Sequence, residues 1–109
     1  NLGKEMVVNT RNNGAIHGFD DDAVVEISSI IDAQGARPLA FGALPPIMNG
    51  LTQQVKAFER LTIEAAVHGC RDSALLALVS NPLVGNVTDA RALLDEVLTI
   101  NRPWLTQFN

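Results

Sequence analysis

The sequence predicts an α+β chain, mainly β and loops over residues 1–45 and mainly helical over residues 46–109, and three observations carry that reading. Up to Phe41, β-branched and apolar residues come in short runs between turn signals. From Ile47 onward the apolar residues return at three- and four-residue steps instead. Between the two regions stands Pro45-Pro46, which ends extended structure and can open a helix. Proline suits the first helical turn because its φ is already set and its missing N–H is not needed there.

Residues Glu5 to Asn9 lean towards β through Val7 and Val8. Asn12-Asn13-Gly14 is a turn signal, since Asn and Gly tolerate positive φ. Asp20-Asp21-Asp22 is a polar break, and Ala23 to Ile31 is rich enough in β-branched residues for a strand or two. Gln34-Gly35 marks another turn, followed by a short extended piece from Arg37 to Phe41. Leu51, Val55, Phe58, Leu61 or Thr62, and Ala65 then define a helix with one buried face, which Gly69 stops. A short second helix through Leu75, Leu76, Leu78 and Val79 is apolar round most of its girth and is expected to be well buried, with Asn81-Pro82 ending it. Thr88 is placed to cap a third helix, whose apolar face runs through Ala90, Leu93, Leu94, Val97, Leu98 and Trp104.

A chain of 109 residues fits a single domain with one core. Its 47% hydrophobic and 18% charged content is that of a folded chain. A net charge of −4 with scattered basic residues argues against nucleic acid, which needs a clustered Lys/Arg footprint. The lone cysteine, Cys70, fits a reducing compartment, and a cytoplasmic location is expected. No apolar run approaches the ~18 residues of a membrane span, and no signal peptide is visible. Because it begins at Asn1 and enters a strand within a few residues, the chain is expected to be a piece of a longer protein.

The run Lys56-Ala57-Phe58-Glu59-Arg60-Leu61-Thr62-Ile63-Glu64-Ala65-Ala66-Val67-His68-Gly69, then Ala74-Leu75-Leu76-Ala77-Leu78 and Asn81-Pro82-Leu83-Val84, forms one ordered succession. Upstream stand Asn12-Asn13-Gly14-Ala15-Ile16, Asp22-Ala23-Val24-Val25-Glu26 and Pro38-Leu39-Ala40; downstream stand Leu93-Leu94-Asp95-Glu96 and Asn101. Together they resemble the C-terminal part of the NAD- and metal-dependent 6-phospho-glycosidases of glycoside hydrolase family 4. The resemblance implies a domain that packs against an N-terminal dinucleotide-binding domain of the same chain, as in lactate and malate dehydrogenases. It also implies a homo-oligomer acting on a phosphorylated disaccharide or glucoside.

The chemistry that the resemblance implies departs from two-carboxylate glycosidases. Bound NAD oxidises the sugar at C3, which acidifies the C2 proton; a base removes it, the aglycone leaves C1, water adds and the hydride returns. A divalent metal, manganese by the resemblance, polarises the transient ketone. The likeness at Asn12–Ile16 and Lys56–Leu61 points to the 6-phospho-β-glucosidase branch. The α-6-phosphoglucosidase and α-galactosidase or galacturonidase branches stay open, as do a non-catalytic interaction module and the equivalent domain of a 2-hydroxy-acid dehydrogenase. NAD and metal are expected to bind outside these residues. The glycines never form G-x-G-x-x-G, and Cys70 precedes Arg71 where a Cys-Asn-x-Pro segment would place metal ligands. The chain alone is therefore expected to be inactive, with no catalytic, cofactor or metal residue of its own.

What remains are candidates on one loop. His17 follows Asn13-Gly14-Ala15-Ile16 where the family runs into an Asn-Leu-Pro-like loop, and it is either an exposed loop residue or a shaper of the substrate end. Arg11 and Asn13 are candidates to reach a sugar phosphate, Arg through bidentate contacts and Asn unless it serves only its own turn. Cys70 and His68 supply two ligands where a structural zinc needs four, so Cys70 is read as structural. Asp20-Asp21-Asp22 lacks the spacing of a calcium loop and is read as a solvated turn. Glu64 is expected at the edge of its helix, paired with Arg60.

Overall fold

The computed structural model describes residues 3–108, which divide between Asn49 and Gly50 into two compact units. The first unit carries β1 (Lys4–Arg11), β2 (Ile16–His17), β3 (Val24–Asp32), β4 (Gly35–Pro38) and β5 (Gly42–Ala43). Strands β1, β3 and β4 form an antiparallel sheet with β3 in the centre. Its register runs from Lys4 opposite Ile31 to Arg11 opposite Val24. Side chains alternate across a strand, and β3 obeys that period: Val25, Ile27 and Ser29 are buried while Val24 and Glu26 are exposed. Val25 and Ile27 pack with Ala15, and Ile16 lies against them.

Of the strand or two expected over Ala23 to Ile31, the structure has one, which runs through to Asp32. The turn at Gln34-Gly35 is present, but the returning strand already starts at Gly35 and pairs only as far as Pro38. Leu39 adds one more main-chain bond to Ser28 O, and Phe41 instead donates to Ala15 O. Asp32 holds this hairpin: its Oδ1 accepts from Gln34 N at 2.8 Å and its Oδ2 pairs with Arg37 Nη2 at 2.8 Å. Pro38 is tolerated because β4 is an edge strand. Strands β2 and β5 pair in parallel, Ile16 with Gly42 and His17 with Ala43. Two residues per strand are too short to show a period, so sequence patterning does not predict them.

Helix α1 (Pro46–His68) begins at the second proline, and Pro45 O accepts from the N–H groups of Met48 and Asn49. It stops at Gly69, whose φ of 67° is the left-handed conformation that glycine accepts without strain. A side chain there would also collide with the main-chain carbonyl of Gln107. Gln107 Nε2 bonds Ala66 O at 3.0 Å, so the end of the chain folds back over the last turn of α1.

Helix α2 (Arg71–Ser80) and helix α3 (Val87–Ile100) pack on one another, and a 3₁₀ turn (Thr106–Phe108) closes the chain. The cap of α3 is Asn86, not Thr88: Asn86 Oδ1 accepts from Asp89 N at 2.8 Å, while its Nδ2 donates to Asp89 Oδ2 at 2.6 Å. Asparagine caps at least as well as threonine, and an acid three residues on completes a reciprocal pair. Helix α2 is less buried than its composition suggests, with only Ser73 and Ala77 buried and Leu76 54% exposed. A packed neighbour covers one side of a helix, so an all-round apolar helix of ten residues keeps an open face. On α3, Ala90 and Leu94 are buried, but Trp104 lies beyond the Asn101 cap and is 82% exposed. On α1, Ala65 is buried and Val55, Phe58 and Leu61 are half-buried, whereas Leu51 and Thr62 are exposed. No helix among the described residues is long and apolar enough to cross a membrane.

Candidate functional site

Between β1 and β3 the chain makes a loop in which Asn13, Gly14 and Gly18 all take positive φ, at 45°, 79° and 85°. Three left-handed residues so close together fold the chain back sharply at little steric cost, because asparagine and glycine are the residues that accept that region. The base of the loop is pinned by main-chain bonds from Asn12 N to Ala23 O and from Asn13 N to Asp21 O, at 2.8 and 3.0 Å. Ala15 N donates to Asn12 O, and Ala15 O accepts from both Phe41 and Gly42.

The centre of the loop is occupied by the Asn12 side chain, which is 0% exposed. Its Nδ2 donates to Ile16 O at 3.0 Å and to Phe19 O at 3.1 Å, and its Oδ1 accepts from Ile16 N at 2.7 Å. Two carbonyls at one end and an N–H at the other fix which way the amide points. Burying an amide without partners costs roughly 1–3 kcal/mol, and here both its donors and its acceptor are used.

The three residues singled out from the sequence all lie on this segment. Arg11 ends β1 opposite Val24, Asn13 is the first left-handed residue, and His17 lies in β2 beside Ala43; all three are exposed. The side chains of Arg11 and His17 have no hydrogen-bond or ion-pair partner among the described residues, and no bond joins any two of the three. Asn12 is the residue that sequence reasoning missed. Its signal was present, since an asparagine just before a left-handed pair is placed to bond back across the turn that follows.

Glu64 and Cys70 belong to a different cluster. Cys70 is the N-cap of α2, with Sγ accepting from Ser73 N at 3.5 Å and Ser73 Oγ at 3.2 Å. Ser73 Oγ also stands 3.2 Å from Glu64 Oε1 on α1, so one hydroxyl proton is shared between thiol and carboxylate. The Ser73 hydroxyl and then the Ser73 N–H hold the Cys70 thiol below its usual range, against a smaller upward push from burial. This arrangement gives Cys70 a capping role. No group of three or more His, Cys, Asp and Glu among the described residues is arranged to hold a metal ion.

An open groove of about 410 Å³ runs beside α3, lined by Arg71, Asp95, Thr99, Arg102 and Phe108 among others. Its Arg71 and Asp95 neutralise one another at 2.7 Å, both more than half exposed, which leaves Arg102 as the remaining charge on its lining. The loop around Asn12 is the better candidate. It presents a guanidinium, an amide and an imidazole, all suited to hydrogen-bonding an anionic or hydroxyl-rich ligand.

The chain matches proteins of known kind. Residues 1–84 match the family 4 glycosyl hydrolase C-terminal domain. The chain is 48% identical over 101 residues to a probable 6-phospho-beta-glucosidase of Bacillus subtilis (strain 168), covering 93% of this chain and 23% of that protein. It is 33% identical to a maltose-6'-phosphate glucosidase of the same organism, over 94% of this chain and 23% of that one. Among solved structures, the 6-phospho-beta glucosidase of Thermotoga maritima with manganese, NAD+ and glucose-6-phosphate superposes with a TM-score of 0.85 at 41% identity, over 94% of this chain and 25% of its own. A 6-phospho-alpha-glucosidase from gut microorganisms, in complex with NAD and glucose-6-phosphate, gives a TM-score of 0.91 at 33% identity, over 94% of this chain and 23% of its own. The chain belongs to glycoside hydrolase family 4, as the counterpart of that family's C-terminal domain. It spans about a quarter of the length of these relatives.

Proposed function

We propose that this chain is the substrate-side and oligomerisation domain of a cytoplasmic 6-phospho-β-glucosidase. It would pack as one C-terminal domain against a dinucleotide-binding domain that holds NAD and a divalent metal, most simply manganese. The observation that carries the reading is the 48% identity to a probable 6-phospho-beta-glucosidase, well above the 33% to a maltose-6'-phosphate glucosidase. Related structures are complexes with NAD and manganese, and in the complete enzyme these would supply hydride transfer and Lewis-acid polarisation of the sugar. This chain's own part is to present Arg11, Asn13 and His17 towards the phosphorylated glucoside.

A second reading, α-specificity, is favoured by the higher TM-score of the 6-phospho-alpha-glucosidase, 0.91 against 0.85. We weight identity over superposition here. Anomer choice depends on side chains at the sugar, whereas a backbone match reports the scaffold that both activities share. The deciding assay offers the complete enzyme, with NAD and manganese, the 4-nitrophenyl 6-phospho-glucosides of both anomers. The β-anomer should be turned over at least tenfold faster, and preference for the α-anomer would install the second reading.

A further inference from the structure

We propose that Asn12 is the positioning residue of the substrate-side loop, holding the main chain on either side of His17 so that its imidazole stays presented outward. The inference rests on the reading that residues 13–19 border the sugar phosphate. Asn12 Nδ2 reaches Ile16 O and Phe19 O, the two carbonyls that flank His17 and Gly18. Its Oδ1 takes the Ile16 N–H at 2.7 Å, so one buried amide bonds both ends of the segment that carries the histidine.

The chemistry of the position demands an amide. Two carbonyls need donors and one N–H needs an acceptor, and among side chains of this size only asparagine offers both. A carboxylate there keeps the acceptor, loses both donors and faces two carbonyl oxygens; an alanine leaves all three main-chain groups short of a partner. Pairing with Gly42 and Ala43 holds Ile16 and His17 on one side, and the amide clamp adds the bond to Phe19 O beyond Gly18, whose φ of 85° leaves the chain little stiffness of its own. The clamp is not spent on a contact inside the domain, since the His17 ring is exposed and has no partner among the described residues. What the amide fixes is the direction in which an outward-facing imidazole is offered.

The test is a double-mutant cycle in the complete enzyme with NAD and manganese, using 4-nitrophenyl 6-phospho-β-glucoside. His17→Ala should raise KM with kcat little changed, the pattern of a lost binding contact. Asn12→Ala should raise KM at least as much, and the double variant should be no worse than Asn12→Ala alone, because the clamp acts through the histidine. Asn12→Asp gives a second reading if the alanine variant does not fold, and it should behave like Asn12→Ala. Effects that multiply, or a KM moved by His17→Ala but by neither Asn12 variant, overturn the positioning role while leaving the loop at the substrate. If His17→Ala does not move KM either, the reading beneath the proposal fails as well. One measurement needs no variant: in the unaltered enzyme the Ile16 amide should exchange slowly with solvent, and exchange at the rate of an open loop overturns the clamp.

Discussion

The loop around Asn12 and the outer faces of the helices use their residues in opposite ways. In the loop a polar side chain is fully buried and every hydrogen-bonding group on it is matched. On the helices apolar side chains lie open: Ile63 and Val67 flank the buried Ala65 on α1 and are 63% and 67% exposed. Two residues along a helix turn about 200°, so both point away from the side that Ala65 faces. A buried, matched amide specifies a shape, whereas exposed isoleucine and valine one turn apart specify a surface to be covered. That difference fits the proposed division of labour, in which the loop presents groups to a ligand and the helix faces meet protein.

The internal order of the two compact units can be probed through one glycine in each. Gly35 in the hairpin and Gly69 after α1 both sit at positive φ, 106° and 67°. A Cβ at Gly35 meets nothing within 4 Å, while one at Gly69 runs into the Gln107 carbonyl. Gly69→Ala should therefore lower stability by about 2–5 kcal/mol, combining left-handed strain with overpacking. Gly35→Ala should lower it by only ~1–2 kcal/mol, from strain alone. Equal losses in denaturant melts would show that the chain end does not close over Gly69.

A smaller effect tests the exposed face. Ile63→Ser together with Val67→Ser should change the stability of the 109-residue chain by less than ~0.5 kcal/mol each, as surface substitutions do. The same pair should reduce its self-association in light scattering, because apolar patches drive such contacts. A loss of several kcal/mol would break the comparison, since it would make these two residues core.

The long elements were legible because each repeats a physical period or carries a stop. Strand β3 alternates, α1 returns every three or four residues, and Pro46 and Gly69 mark its ends. Asn86 was hidden behind Thr88 because both are good caps two residues apart, and only the bond to Asp89 decides between them. Burial on α2 was not legible either, since composition states that Leu76 is apolar but not which neighbour covers it. The candidate loop was half legible. Asn13 and His17 drew attention as exposed turn residues, yet Asn12, which organises the loop, looks in one dimension like one more turn asparagine.

Hydrogen exchange on the complete enzyme separates a loop that meets the ligand, as proposed, from helices that do not. With NAD and manganese present throughout, exchange is followed with and without glucose 6-phosphate. The expected result is that the ligand slows the amides of residues 13–19 and leaves those of α3 between Val87 and Ile100 unchanged. Unaltered exchange in residues 13–19, with protection confined to the helices, would contradict it.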